Sequence, residues 1–242
     1  CYWILFKINT YLMSQIKYDG YELDYFDNAY NFRNYQIRLI KRFLRKNLVE
    51  VGPGQGGLTN YYKKFVDKIY LLEPDKKLYK ILNKKYKNKS IKIKNNTIKN
   101  INKKFQTILY FDVLEHIIND LNEVKEAQKR LDKKGYLIFS VPAYQYFYNN
   151  FDKSVGHIKR YNKNDFIKIG KKTGLKIEKL IYYDSVGFLF LILNKIFSVS
   201  EKNLKFKIKF WNFLIPISRL IDFVTFNQIG KSLLCVYRND KK

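Results

Sequence analysis

Apolar residues along this chain recur with two alternating periods. From Tyr21 to Phe43 they fall at helical spacing among charged positions, as one or two helices would place them. Leu48-Val49-Glu50-Val51 reads as a short strand, closed by the glycine-rich turn Gly52-Pro53-Gly54-Gln55-Gly56-Gly57. A helical pattern resumes over Leu58–Val66, and Lys68–Leu72 is a second strand ending at Glu73-Pro74-Asp75. Asp75–Tyr86 is helical, and the alternation of Ile91-Lys92-Ile93 opens a third strand. Thr107–Phe111 is a continuous apolar run, the signature of a strand covered on both faces, and it ends at Asp112. A helix over Asn119–Leu131, a turn at Lys134-Gly135 and a strand over Tyr136–Val141 complete this part. Strands alternating with helices predict a parallel, doubly wound α/β sheet. No internal repeat or linker interrupts the pattern, so one domain is expected.

Further on, Asn164–Thr173 is helical and stops at Gly174, a C-cap. Leu175–Tyr183 and Lys231–Arg238 are strand-like. Between them, Val186–Phe226 is apolar and aromatic, predicted as helices broken at Ser198–Asn203 and bent at Pro216. Paired terminal strands around such an insertion would add an antiparallel hairpin to the sheet edge. The expected organisation is a helical cap over residues 1–46, then a domain over 47–242 with its helical insertion at 186–228. The chain begins at Cys1, and its single Met is Met13; a native start there would leave residues 1–12 without meaning.

Composition narrows the reading less than its numbers suggest. The chain has 242 residues, with 47 Lys and Arg against 21 Asp and Glu, a formal net charge of +26. That charge could mark a phosphate-bearing partner. The excess is mostly Lys, however, spread along the chain beside abundant Asn, Ile, Tyr and Phe, the set that A/T-rich codons supply. The densest stretch, Lys84–Lys104, interleaves Lys with Asn and Ile instead of clustering Arg. Specific nucleic-acid binding is therefore not expected, although non-specific adhesion to polyanions at low salt is. Two Cys are too few for a disulfide framework or a structural zinc site, and no metal is expected. The longest apolar run, Val186–Phe197, is interrupted by Asn194 and Lys195 and falls short of a membrane span. A cytoplasmic protein is expected, with peripheral contact at the inner face of an anionic membrane left open.

The chemistry sits at the strand ends. Gly52, Gly54 and Gly57 match G-x-G-x-x-G spacing between a strand and a helix, a weak signal by itself. Glu50 ends the first strand, where a carboxylate can hold an ammonium group and where a pyrophosphate would gain nothing. Glu73 ends the second strand about 20 residues on, where an acid can accept both hydroxyls of a ribose. Asp112-Val113-Leu114-Glu115-His116 ends the fourth. An amino acid joined to a nucleoside without phosphate fits both acids, and S-adenosylmethionine is such a molecule.

With EVGPGQGGLT, LLEPD, YFDVLEHI, KKGYLIFSVPA and DKSVGHIKRY in this order, the chain resembles class I S-adenosylmethionine-dependent methyltransferases. More narrowly, it resembles a bacterial subgroup of small-molecule or glycan-type methyltransferases through YDGYELDYFDNAYNFRNY, YYDSVG, FWNFLIPISRLID and IGKSLLCVYR. The resemblance implies a Rossmann-like, mostly parallel seven-stranded sheet with a helical insertion before the last strand. It implies cofactor contacts at Glu50, Gly52, Pro53, Gly54, Gly56 and Glu73, with Asp112 near the methionine end. Many relatives place an Asp after the third strand for the adenine amino group; here Asn95-Asn96-Thr97 stand there.

Methyl transfer from a sulfonium is an in-line displacement, so positioning supplies much of the acceleration. A hydroxyl acceptor gains from a base. His157, in the loop Asp152–Tyr161, is the candidate base because its ordinary pKa suits the task. The other reading has His157 and Arg160 fastening that loop. Asp112 is a second catalytic candidate; Asp152, Arg160 and Tyr161 are candidate acceptor contacts. His116 is expected to start a helix and to serve as a structural or cofactor-pocket hydrogen-bonding residue, not as the base. The aromatic runs Tyr144–Tyr148 and Phe206–Phe226 are read as core first, acceptor pocket second, and membrane contact third. The acceptor itself is expected to be a small molecule, a glycan or a lipid-linked intermediate. An adenine-type RNA methyltransferase is the nearest rival, yet its Asn/Asp-x-Pro-Tyr element is replaced by Phe111–His116. A further rival is an NAD-dependent dehydrogenase, and a third is a binding module without turnover.

Overall fold

The computed structural model describes residues 26, 28–86, 90–197 and 204–240. Cys1, Met13, the start of the first predicted helix and the predicted break at Ser198–Asn203 lie outside the described residues. Seven strands, β1 Asn47–Val51, β2 Lys68–Leu72, β3 Ile91–Lys94, β4 Phe105–Phe111, β5 Leu131–Pro142, β6 Lys176–Tyr183 and β7 Ser232–Arg238, form one sheet in the order β3-β2-β1-β4-β5-β7-β6. The pairs among β1 to β5 are parallel, and β7 runs antiparallel between β5 and β6. The doubly wound sheet read from the sequence is therefore present, and the expected terminal hairpin closes its edge.

The apolar runs explain why these strands lie inside. Successive residues face opposite layers, so Leu48, Leu109 and Ile138 join one core while Val49, Ile108 and Phe139 join the other. Helices cover both faces: α1 Tyr30–Ile40, α2 Thr59–Tyr62, α3 Lys76–Lys85, α4 Asp120–Lys129, α5 Asn150–Ser154, α6 Lys163–Thr173, α7 Ser185–Phe197 and α8 Leu204–Val224. Side chains set several of their ends. Asp75 accepts from the Leu78 amide at α3, Asn119 accepts from the Asn122 amide at α4, and Gly174 closes α6 at φ 71°.

Three local expectations change. The helix predicted over Leu58–Val66 is only α2, tightening into a 3-10 turn over Lys63–Phe65. The helix predicted to reach Leu131 ends at Lys129, because Leu131 already pairs with Phe105 in the sheet. His116 does not start a helix; it closes a 3-10 turn over Leu114–His116. Helix α8 holds Pro216 within its span, the position at which a bend is expected. Proline has no amide proton to give the Asn212 carbonyl four residues earlier. That carbonyl accepts from Asn31 Nδ2 at 3.0 Å instead, while Asn212 Oδ1 takes the Phe32 amide of α1 at 3.1 Å.

Candidate active site

The glycine turn after β1 is built by close approach. Gly52 sits at φ 64°, and a Cβ there would stand 2.7 Å from Val113 Cγ2. Gly56, at φ 75°, is pressed against Leu82 and Tyr86 of the α3 region. Gly54, at φ 58°, turns its amide outward to donate to Glu73 Oε2 at 3.0 Å. Pro53 contributes its carbonyl to the Gly56 amide at 2.8 Å, which closes the turn. Glu73 Oε1 accepts from the Asp75 amide at 3.0 Å, and Asn95 Nδ2 donates to the carbonyls of Glu73 and Pro74. Burial pushes the Glu73 carboxyl up to about 7, against the pull of those two amides. Asn95 thus shapes the loop that carries Glu73.

Glu50 has a structural engagement of its own. Its Oε2 accepts from Thr59 Oγ1 and from the Tyr62 hydroxyl, each at 2.6 Å, so it ties α2 to the end of β1. Asp112 leaves β4 at φ 55°, a left-handed conformation uncommon for a side chain other than glycine and typical of strained functional turns. Its carboxylate is half exposed and lies 3.7 Å from Nη1 of the buried Arg33. The same Nη1 donates to Gln36 Oε1 at 2.8 Å; Gln36 donates to the Tyr183 hydroxyl at 3.0 Å, which meets Ser140 Oγ at 2.6 Å. The chain so linked runs from α1 to the carboxyl ends of β5 and β6.

Beyond the ends of β4 and β5, distant segments converge. In α5 a capping box forms between Asn149 and Asp152, and it fixes the Asp152 carboxylate beneath the loop. Asp152 Oδ1 lies 2.7 Å from His157 Nδ1, and Arg160 Nε donates to both carboxylate oxygens at 3.0 and 2.9 Å. Burial alone would raise the Asp152 carboxyl, yet His157 and Arg160 outweigh it and hold it below its ordinary value. Glu115 behaves oppositely: burial first, then the charge of Asp112, push it well above the usual carboxylate range. Its main chain is secured, since its carbonyl accepts from the Ile158 amide at 2.8 Å. His116 Nδ1 faces the Gly156 carbonyl at 3.1 Å, and its ring meets that of His157 at 4.8 Å between centroids. Burial, then His157, push the His116 imidazole down to about 4.

The sequence-predicted residues therefore divide. Glu73, Gly54 and Asp112 stand at the mouth formed by strand ends. Asp152, Arg160 and Tyr161, expected as acceptor contacts, are all buried, with Tyr161's hydroxyl 3.1 Å from both the Leu114 carbonyl and Asp120 Oδ2. Such buried, mutually bonded groups hold their neighbours in place. Other residues had no short motif to announce them. Arg33 faces Asp112 from α1, and Lys231 lies 4.4 Å over the Trp211 ring. Asp184 accepts from Trp211 Nε1, Ser218 Oγ and the Gly187 amide. The YYDSVG segment held a visible clue, an Asp-Ser pair opening an apolar helix.

A seven-stranded sheet with its last strand antiparallel, a glycine turn after β1 and acids at successive strand ends define the class I methyltransferase architecture. The profile of a methyltransferase-domain family matches residues 26–180, and the chain belongs to that family. No curated protein matches the chain in sequence. Among solved structures, the Bradyrhizobium japonicum N-methyltransferase NodS in complex with S-adenosyl-l-homocysteine is similar at TM-score 0.59 and 14% identity, over 96% of this chain and 98% of that one. Phosphoethanolamine N-methyltransferase 2 of Haemonchus contortus, in complex with S-adenosyl-L-methionine, is similar at TM-score 0.61 and 13% identity, over 92% and 58%. An S-adenosylmethionine-dependent methyltransferase from Clostridium acetobutylicum gives 0.58 and 11%, over 97% and 99%. At these identities the likeness is one of fold. Neither the RNA methyltransferase nor the dehydrogenase reading is favoured by these relatives.

Proposed function

We propose that this methyltransferase uses S-adenosylmethionine to methylate an oxygen or nitrogen atom of a lipid-linked acceptor, presented at an anionic membrane surface. The cofactor reading rests on the turn Gly52–Gly56 facing Glu73. Glu73 would exchange its bond to the Gly54 amide for the ribose hydroxyls, and Asp112 would lie toward the methionine end. Calorimetric titration with S-adenosylmethionine and S-adenosylhomocysteine, with NAD as control, tests it. Both sulfur ligands should bind and NAD should not; a folded chain that binds neither sulfur ligand ends the reading.

The acceptor class rests on one observation, the apolar outward face of α8. Its inward stripe is Ile208, Trp211, Ile215, Ser218 and Asp222, which includes two buried polar groups. Its outward stripe is Phe206, Phe210, Phe213, Ile217, Leu220 and Val224, with Phe213 72% exposed. A soluble helix normally turns a polar stripe outward, and contiguous apolar surface of this kind marks a partner or a membrane. Lys205, Lys207, Lys209 and Arg219 lie on the same helix, and its one acid, Asp222, is buried. Basic residues beside outward aromatics suit an anionic bilayer surface. No described helix is long and apolar enough to cross a membrane. The carboxyl ends of β5 and β6, from which α7 and α8 hang, would then face lipid-borne substrate.

Vesicle co-sedimentation tests this half. The chain should bind phosphatidylglycerol-rich vesicles and not phosphatidylcholine ones, and Phe213→Ser with Phe223→Ser should reduce binding by about tenfold or more. Equal indifference to both vesicle types, or a dimer that buries these residues, would remove the membrane reading and leave the cofactor reading standing.

A further inference from the structure

A general-base role for His157 leaves its neighbour unexplained. Glu115 is 1% exposed, and neither of its side-chain oxygens has a hydrogen-bond partner. Buried carboxylates are normally paired or bound to metal, because a lone one is costly in either protonation state. His157 Nε2 lies 3.9 Å from Glu115 Oε1, too far for a hydrogen bond. One ligand atom from each of Glu115, His116 and His157 falls within 4.8 Å of the others.

The rings are set as metal-bound imidazoles are. His157 directs Nδ1 to the Asp152 carboxylate at 2.7 Å, and His116 directs Nδ1 to the Gly156 carbonyl at 3.1 Å. A carboxylate or carbonyl partner on Nδ1 fixes the tautomer that presents Nε2 to a metal. Asp152 is itself held by Arg160 and by the α5 capping box, so this support is rigid.

We propose that Glu115, His116 and His157 form a divalent transition-metal site, of the kind that takes zinc, on the acceptor side of the active site. Two imidazole nitrogens and one carboxylate oxygen are a donor set suited to zinc or cobalt and less so to magnesium or calcium. Bonds of about 2.0–2.1 Å in a tetrahedral site bring donors to about 3.3 Å apart. The donors, 3.9 Å apart for His157 and Glu115 and within 4.8 Å for all three, would have to close in by up to about 1.5 Å through side-chain rotation. Three protein ligands leave a fourth position open, and the half-buried histidines give it access from the cleft.

The use of that position rests on the methyl-transfer reading. An acceptor hydroxyl bound there would release its proton to solvent water and attack the methyl carbon. The new O–C bond forms as the S–C bond breaks, and sulfur keeps the electron pair to leave neutral S-adenosylhomocysteine. His157 is then a ligand, not the base.

The test uses the untagged full chain, stripped with chelator and reloaded with Co²⁺ or Zn²⁺. The chain has two His, both in this cluster, so an imidazole-bound Co²⁺ spectrum has one source. About one metal per chain should survive gel filtration, with visible Co²⁺ absorption in the tetrahedral range. Glu115→Gln, His116→Gln and His157→Gln should each weaken metal binding by about 100-fold or more. Each should leave S-adenosylhomocysteine affinity within about threefold, which also reports folding. Should Glu115→Gln fail to fold, the two histidine variants decide. No retained metal in wild type, or a Co²⁺ spectrum that survives loss of either histidine, overturns the site. Metal binding without any gain in methyl transfer removes only acceptor activation. Metal binding by a chain that ignores both sulfur ligands removes the methyltransferase reading and keeps the site.

Discussion

The two halves of the active-site edge are assembled in different ways. The half under β1 to β3 is made of short contiguous pieces: a glycine turn, Glu73 one strand later, and Asn95 one strand after that. Neighbouring strand ends hold one another here, the Gly54 amide bonding Glu73 and Asn95 bonding the Glu73 carbonyl. The half under β4 to β7 is made from segments far apart in sequence, joined through largely buried polar contacts such as His116 with Gly156, Tyr161 with Asp120, or Asp184 with Trp211. A half built from local turns should fail by losing ligand, whereas a half built from buried contacts should fail by losing structure.

The largest separation between them is expected from Asp184→Ala. Asp184 accepts from Trp211 Nε1 at 3.0 Å, from the Gly187 amide at 2.9 Å and from Ser218 Oγ at 3.3 Å. Removing it strands buried donors at a cost of about 3 kcal/mol, or about 6–12 °C in Tm for a chain of this size. S-adenosylhomocysteine affinity should stay within about threefold below the transition. Large loss of affinity without loss of Tm would dissolve the distinction between the halves.

Gly54→Val should show the converse. A β-branched residue at φ 58° is strained, and its side chain would crowd the turn facing Glu73. Cofactor affinity should fall by at least about 100-fold while Tm changes by only a few degrees. Calorimetry alongside thermal unfolding reads both.

Glu73→Gln is the subtlest. Losing a charge-assisted acceptor should weaken S-adenosylhomocysteine by about 10–30-fold. Because burial holds the free carboxyl at about 7, wild-type affinity should rise as pH climbs through that value and then level, and the glutamine variant should lose the slope. Stability runs the other way. The folded carboxyl keeps its proton above the unfolded value of about 4.3, so its contribution is full below that pH and is lost as pH rises toward 7. An affinity flat with pH in wild type would mean that Glu73 does not meet the ribose.

The same division governs what could be read in advance. The sheet was legible because strands buried on both faces leave continuous apolar runs such as Thr107–Phe111, and the glycine turn because it falls between such a run and a helix. Glu73 and Asp112 were legible as acids at strand ends. Buried contacts left weaker traces. Asp152, Arg160 and Tyr161 read as acceptor contacts in the sequence, yet all three are buried, Asp152 within the α5 capping box and Tyr161 against Leu114, Asp120 and Phe166. Arg33 and Lys231 carry no motif, since only the fold brings α1 and the start of β7 to the same edge. In α8, the pattern of apolar residues reveals a helix but cannot say which stripe faces inward; Ser218 and Asp222 settle that by bonding to the α7 turn. At Pro216 the compensating donor is equally hidden from the sequence, because Asn31 lies 181 residues before the carbonyl it satisfies.

The position of β7 also sets a timetable. It is the latest of the seven strands to leave the ribosome, yet it occupies a place between β5 and β6. Until Ser232–Arg238 emerges, β6 has no neighbour in the sheet, and the helices it anchors have only a partial floor. A nascent chain halted near residue 230 would already display the aromatic stripe of α8 while its last strand slot stood open. Truncation there should yield a species recognised by chaperones and proteases, because the seven-residue strand that joins β5 to β6 would be missing.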